Sequence, residues 1–308
     1  MKFEFNDRLA CPLCDCKEST VHANFSEIPV VKCQECGMLY SSKIFNKDTV
    51  TYYYNNYYGG EKQRMGQLVN SKVSAWVVNK LSPLKNNQSL LDVGTGYGYF
   101  LKHVKNKYSL SVTGLEPAEE QVNHACSQLS LNVQQANLKE STLPKEGFDL
   151  VTAFEVIEHV SCPVTFLKEM KEYLKVGGRM VILTDNFDST NARSLGMSFP
   201  KWIPHSHVSH FTPSSLSNAI DKTQGLEVIS SGSYTPWEIK LMNIRHKIFN
   251  SRKSEVVSFS VAEALEKESN GNYKYFSLRK MINHIWVRIS FSKQMDGDLM
   301  YFVAQKTN

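Results

Sequence analysis

The sequence predicts an α/β protein: a doubly wound, Rossmann-like sheet preceded by a small cysteine-based unit. Three observations carry this expectation. Short apolar runs alternate with helical-period stretches from Ser89 to Ala304, the pattern of successive βαβ units. One unit, Ser89 to Pro117, holds a loop with glycine at every second position, Gly94, Gly96 and Gly98. Ahead of it, the C-x2-C pairs Cys11/Cys14 and Cys33/Cys36 are separated by 18 residues.

A chain of 308 residues holds one large domain and something small beside it. With 42% hydrophobic and 21% charged residues, the composition is that of a soluble globular protein. No apolar run approaches the length of a membrane span, and MKFEFNDRLACPLC lacks a secretion signal's apolar stretch. A cytoplasmic protein is expected, whose seven cysteines are metal ligands or free thiols rather than disulfides. The net charge of +5 is too small to argue a nucleic-acid partner on its own. The basicity is local: residues 239–294 hold eleven Lys/Arg against four acids.

In chain order, residues 1–46 read as a zinc ribbon. The Cys11, Cys14, Cys33 and Cys36 spacing suits a four-thiolate site, and four thiolates leave no position for water, so the zinc would be structural rather than catalytic. Cys16 is a spare thiol. Val21, Phe25, Val30 and Val31 are too few for a core, so the metal would have to hold this unit together. Residues 47–85 are a tyrosine-rich linker and a helix. The stretch YYYNNYYGG from Tyr52 to Gly60 is either a packing linker or a lid that presents a phenol. From Gln63 to Leu81, Met65, Leu68, Val69, Val73, Trp76 and Val77 follow a helical period, stopped by Ser82-Pro83.

Residues 86–308 form the main domain. Leu90 to Val93 is a buried strand, Phe100, Leu101 and Val104 mark a helix, and Val112 to Leu115 is a second strand ending on Glu116. Glycines let a ligand approach the backbone, the following helix offers unpaired N–H groups, and Glu116 is placed to accept hydrogen bonds from ribose hydroxyls. Then come a helix from Pro117 to Leu129, strands at 132–136 and 148–154, a helix from Pro163 to Leu174 and a strand from Met180 to Thr184. Asn186 to Pro204 reads as a long loop above the sheet, Thr212 caps a helix starting at Pro213, and strands follow at 226–231 and 299–304. Within a basic insertion, 237–296, lie two amphipathic helices, around Leu241 and Ile244 and from Leu278 to Ile289, whose apolar faces are expected to pack on the domain.

The loop form D-x-G-x-G-x-G, with Asp92 ahead of it, and GLEP at the second strand's end resemble class I S-adenosylmethionine (SAM) methyltransferases. The run FEVIEHV…FLKEMKEYLKVGGRMVIL resembles the second half of that domain. The resemblance implies a seven-stranded Rossmann-like sheet whose last strand is antiparallel, with Asp92, Gly94, Gly96, Gly98, Glu116, Asn137, Phe154 and Glu155 around SAM. A nicotinamide-dependent reductase is disfavoured by the loop form, and a non-catalytic SAM fold by the intact Asp92, glycines and Glu116.

His205, His207 and His210 form H-x-H-x-x-H, a spacing open to metal ligation or to proton transfer. Here the chain also resembles deoxysugar C-methyltransferases, in its four cysteines, Tyr57/Tyr58, His159-Val160 and His207-Val-Ser-His210-Phe211-Thr212. That resemblance implies His207 as general base with His159, Tyr58 and His210 near the acceptor. It implies O- or C-methylation of a sugar nucleotide or surface glycan. Ser206 stands where that family has a glutamate, and its further large domain does not fit in 308 residues. Zinc-ribbon RNA methyltransferases are the alternative, with the basic insertion on a phosphate backbone. The insertion could equally meet a nucleotide diphosphate or an anionic membrane face. The oligomeric state stays open.

Overall fold

In a computed structural model, which describes residues 3–25, 27–56, 59–249 and 275–308, the ribbon comes first. Its strands are β1 (Phe5–Asp7), β2 (Ser19–Ala23), β3 (Val30–Cys33), β4 (Leu39–Ser41) and β5 (Lys43–Phe45). Helices α1 (Lys47–Asn56) and α2 (Glu61–Leu81) lead into the main domain. There β6 (Ser89–Val93), α3 (Tyr99–Tyr108), β7 (Ser111–Glu116), α4 (Glu119–Ser127), β8 (Asn132–Gln135), β9 (Phe148–Phe154), α5 (Pro163–Tyr173) and β10 (Leu174–Asp185) alternate as βαβ units do. The chain continues through α6 (Thr190–Leu195), β11 (Ser209–His210), α7 (Pro213–Asp221), β12 (Leu226–Tyr234), α8 (Trp237–Phe249), α9 (Phe276–Ser290) and β13 (Leu299–Lys306).

Seven strands form the central sheet in the order β12-β13-β10-β9-β6-β7-β8. Strands β10, β9, β6, β7 and β8 pair in parallel, and β13 runs antiparallel to both β10 and β12. The expected Rossmann-like sheet with a reversed last strand is therefore present. Successive residues of each strand feed opposite layers, as a pleated strand requires. Leu91, Val151, Ile182 and Phe302 point into one core with α5, α7 and the ribbon. Leu90, Leu150, Val181 and Val303 point into the other with α2, α3 and α4. Both faces being covered explains why these strands read as apolar runs rather than alternations.

The structure departs from expectation in four places. The ribbon is not a unit without a core: Cys11, Leu13, Val31, Met38 and Tyr40 belong to the same buried cluster as Phe211, Leu216 and Ile220. Its four-stranded sheet, β11-β4-β3-β2, takes an edge strand from the main domain. The tyrosine stretch begins as helix α1, where Tyr53 stacks among Phe3, Phe45 and His205; Tyr57 and Tyr58 lie outside the described residues. The polar run after Asn186 is not all loop. Ser189 caps α6 by accepting from the Ala192 N–H at 2.9 Å, and Asp298, over a hundred positions away, holds Ser189 and Asn191. The apolar faces of α8 and α9 do not pack on the domain: Leu241, Ile244, Leu278, Met281, Ile285 and Ile289 are exposed. Residues 250–274 of the basic insertion lie outside the described residues. No helix among the described residues is long and apolar enough to cross a membrane.

Candidate active site

A cavity of about 1140 Å³ opens above the carboxyl ends of β6, β7, β9 and β10, where open α/β sheets bind ligands because the strand order reverses there. One end is built by the glycine loop. The Gly94 and Thr95 N–H groups donate to Leu115 O at 2.8 and 3.0 Å, which ties the loop to β7. Glu116, buried at the tip of β7, accepts from Gly96 N at 2.8 Å and Ala118 N at 3.0 Å. Glu116 lines the cavity, and each of its oxygens retains acceptor capacity, which a ribose diol needs. Asp92 accepts from the Thr152 hydroxyl at 2.6 Å, and burial pushes its carboxyl up to about 7.

The loop is a cradle that side chains would fill. A Cβ at Gly94 would come within 2.6 Å of Val156, and one at Gly96 would collide with Gln67. Gly96 also has φ +58, a left-handed conformation that costs an L-residue free energy. Gly96→Ala is expected to weaken SAM binding by about tenfold or more while leaving the fold intact, checked by titration calorimetry. Gly98 does something else: at φ +79 it begins α3, and a Cβ there would meet Leu131 and Ala125, so it secures helix packing outside the cavity.

Past β8, Ala136, Asn137 and Leu138 line the cavity. The Asn137 carboxamide is engaged locally: its oxygen accepts from Lys139 N and Glu140 N, and its nitrogen donates to Glu140 at 2.7 Å. Phe154 packs edge-on against Phe100 at 4.7 Å. Helix α2 contributes Gln63, Gln67, Asn70 and Ser74 to the wall, and Gln67 accepts from Tyr97 N at 2.8 Å. Sequence reasoning missed these four. Their spacing of four, three and four residues puts uncharged polar side chains on one face of an amphipathic helix, and that signal was available.

At the other end, Glu155 leaves β9 with φ 54, a conformation rare outside glycine and Asn/Asp, which turns its carboxylate into the cavity. Lys201 reaches it at 3.4 Å and Asp185, at the tip of β10, at 2.9 Å. Asp185 also holds His207 Nδ1 at 3.3 Å. Burial pushes the Asp185 carboxyl up, but Lys201 and His207 outweigh it and hold it down at about 2. Glu158 is fully buried beside them. Its Oε2 accepts from Thr184 at 3.0 Å, and burial, with the charges of Asp185 and Glu155, pushes it well above the carboxylate range. One donor atom each from Glu158, His159 and His207 lies within 4.8 Å of the others. The Lys201 ammonium lies beside this cluster, paired with Asp185 and Glu155.

The histidines divide by position. His159 lines the cavity; its Nδ1 donates to Ser206 O at 2.9 Å, which leaves Nε2 as the lone-pair nitrogen of the neutral ring. Burial, then the charge of His207, hold its pKa down at about 3. His207 stacks edge-on behind it, ring centroids 4.7 Å apart, and is not part of the cavity wall. His210 is fully buried among Phe187, Trp202 and Ser41, where burial lowers its proton affinity. His205 packs against Phe45 and Tyr53. Tyr58 lies outside the described residues.

The ribbon locks this arrangement. Its edge strand β4 pairs with β11, Tyr40 opposite Ser209 and Leu39 opposite His210. Ser41 Oγ donates to Pro204 O at 2.8 Å, Arg8 donates to Val208 O at 2.8 Å and also to Ser161 O, and Val208 N donates to Glu158 O at 2.8 Å. The segment bearing His207 is thus clamped between the ribbon and the turn bearing His159. Cys11 and Cys36 approach to 3.5 Å, as do Cys14 and Cys33, and all four sulfurs lie within 4.8 Å of one another. Tetrahedral thiolates around zinc stand about 3.8 Å apart, so this set could hold the ion. Cys16 stays outside it, bonded to Glu18.

Residues 68–231 match the family model of the methyltransferase domain. The chain belongs to this family. It carries a methyltransferase domain. Among its relatives, a ubiquinone biosynthesis O-methyltransferase of Cereibacter sphaeroides is 31% identical over 154 residues, 46% of this chain and 60% of that protein. One from Coxiella burnetii is 33% identical over 102 residues, 32% of this chain and 43% of that protein. The chain thus spans 60% or less of the length of the curated relatives it matches. Two solved structures share the fold. A SAM-dependent methyltransferase from Thermotoga maritima aligns with TM-score 0.51 at 18% identity, covering 79% of this chain and 94% of that one. Phosphoethanolamine N-methyltransferase 2 from Haemonchus contortus, in complex with SAM, aligns with TM-score 0.54 at 15% identity, covering 88% and 63%.

Proposed function

We propose that this methyltransferase O-methylates a sugar hydroxyl, on a nucleotide-linked sugar or a glycan, and that its ribbon holds one structural zinc. The observation that carries the sugar reading is the lining of the acceptor end. Trp237, Trp286, Tyr53 and Tyr234 alternate there with Glu155, His159, Glu238 and Asn283. The indole N–H groups are already engaged, Trp237 with Asn283 at 2.6 Å and Trp286 with Thr235 O at 2.7 Å, so what the two rings offer is their faces and edges. Aromatic faces interleaved with hydrogen-bonding groups suit the apolar and hydroxyl-bearing sides of a pyranose.

SAM supplies an electrophilic methyl on a sulfonium. The chain's part is to align the acceptor oxygen and take its proton. His159 Nε2 is the proton acceptor in this reading. A depressed proton affinity keeps the imidazole neutral, so it adds no positive charge beside the sulfonium. A weak base suffices because the acceptor hydroxyl grows strongly acidic as its oxygen gains the methyl group. His207, held by Asp185, backs the His159 ring, and Lys201 neutralises Asp185.

A second reading, methylation of a phenolic hydroxyl, is favoured by the relatives' naming as ubiquinone biosynthesis O-methyltransferases. The test is methyl-labelled SAM with the purified enzyme and four acceptor sets: nucleotide sugars, a surface-glycan extract, catechol-type phenols and unmodified ribosomal RNA. Label is expected in a sugar or glycan. Label confined to phenols or to RNA would overturn the sugar assignment.

A further inference from the structure

Helices α8 and α9 wall the acceptor end of the cavity and carry their apolar residues on the outside. On α9, Leu278, Met281, Ile285 and Ile289 follow one another at helical spacing and are all exposed, Ile289 at 72%. Leu241 and Ile244 extend the pattern on α8, and Tyr275 precedes α9. Among the described residues, these are seven of the thirteen exposed large apolar side chains. The inward sides carry Ile239 and Val287 together with hydrogen-bonded asparagines. Asn283 accepts from Trp237 at 2.6 Å and donates to Asn70 at 3.3 Å, and Asn243 donates to Asn191. Buried, hydrogen-bonded asparagines fix which way each helix faces, since turning either one inward-side-out would leave those groups without partners. The outward apolar stripe is therefore built into the fold.

Charge identifies the occupant. Residues 239–249 and 275–294 contain seven Lys/Arg and no Asp or Glu. Lys72 of α2 and Lys107 of α3 lie near enough to lower the proton affinity of His284, and Lys72 that of Lys280, so the cationic field continues past α9. A contiguous exposed apolar stripe of this kind marks a docking surface. Among the described residues of α8 and α9 the exposed charged neighbours of the stripe are cations, and such a stripe matches a bilayer that presents acyl chains and anionic headgroups together.

We propose that the outer face of α8 and α9 seats the protein on an anionic phospholipid surface, with Leu278, Met281, Ile285 and Ile289 in the headgroup–acyl boundary. This stands whatever the acceptor is. It brings the acceptor end of the cavity to the membrane, so a lipid-borne acceptor could enter without crossing bulk water.

The experiment is flotation of the full chain with vesicles of phosphatidylcholine alone and of equal parts phosphatidylcholine and phosphatidylglycerol. Binding to the anionic vesicles is expected to exceed that to neutral ones by about tenfold or more and to weaken with salt. Leu278→Ser/Ile285→Ser/Ile289→Ser and Lys280→Glu/Arg288→Glu should each reduce it by about tenfold while SAM affinity, measured in parallel, stays unchanged. Hydrogen exchange on the wild-type chain gives a reading that needs no variant: residues 276–290 should gain protection when anionic vesicles are added. The proposal is overturned if the wild type does not float, if the serine variant floats as well as the wild type, or if 276–290 gains no protection. It is also overturned if sedimentation shows a dimer that the serine variant abolishes, which would make a second copy the occupant.

Discussion

His159→Gln is expected to lower methyl transfer by about 10² to 10³ with SAM affinity unchanged, the usual range for removing a positioned proton acceptor. Glutamine keeps a hydrogen-bonding side chain at the cavity wall but has no basic nitrogen. His207→Ala should cost less, about tenfold, because His207 touches the cavity only through His159 and acts by holding that ring. Single-turnover rates decide the matter. A larger loss for His207→Ala would move the proton-acceptor role to the ring that Asp185 orients.

The pH dependence follows from burial. With His159 held at about 3 by burial and by the facing charge of His207, its ring is neutral throughout the physiological range. Asp185, Glu155 and Lys201 complete its charged surroundings. The transfer rate should therefore show no histidine-like fall between pH 8 and pH 5 attributable to His159, only one in strong acid. The stability consequence has a definite sign. A histidine whose folded pKa is depressed binds its proton in the unfolded chain first, so stability is full above about 6.5 and erodes as pH falls below it. His210, with no exposure and a proton affinity lowered well below normal by burial, should contribute up to about 1.4 kcal/mol per pH unit. His159, partly open to the cavity, should add less. Denaturant midpoints at pH 7 and pH 5 measure the slope, and His210→Phe should flatten it.

The second large effect concerns the ribbon. The purified chain is expected to carry one zinc, measured by elemental analysis, and Cys33→Ser to lose it. A thiolate site of this kind supplies folding free energy beyond what the ribbon's share of the core gives, so the variant should lose about 3 kcal/mol or more. Transfer should fall by about 10² with SAM affinity little changed, because β4 would no longer hold β11 and the segment bearing His207. Wild-type transfer in a zinc-free variant would mean that the clamp does not depend on the metal. Loss of SAM affinity in the same proportion would mean that the ribbon supports the whole domain rather than the acceptor end.

How much of this was legible beforehand depends on the range over which each signal acts. The strands β6, β7, β9 and β10 were readable because both their faces are buried, and that need is written in consecutive residues. The glycine loop, Glu116 and the two cysteine pairs were readable because their geometry is set within a few bonds: a left-handed turn, a strand tip, a thiolate hairpin. The start of α6 was not readable in this way, since Ser189 is held as a helix start by Asp298, a residue distant in the chain.

The acceptor end was not readable in that way. Asp185 is one acid among thirty and Lys201 one of thirty-five basic residues. Neither carries a local mark, and they meet only because β10 ends where the chain after α6 folds back. The same holds for the separation of His159 from His210. Three histidines within six residues look equivalent in the chain, yet pairing of β11 with β4 buries His210 and sets His207 behind His159. The outward apolar face of α9 shows the limit most plainly. Its period announces an amphipathic helix, but which side faces solvent was settled by Asn283 finding Trp237 and Asn70 in other elements. Periodicity specifies a helix and its stripe; the orientation of that stripe depends on hydrogen bonds between residues distant in the chain, which only a folded arrangement brings within reach.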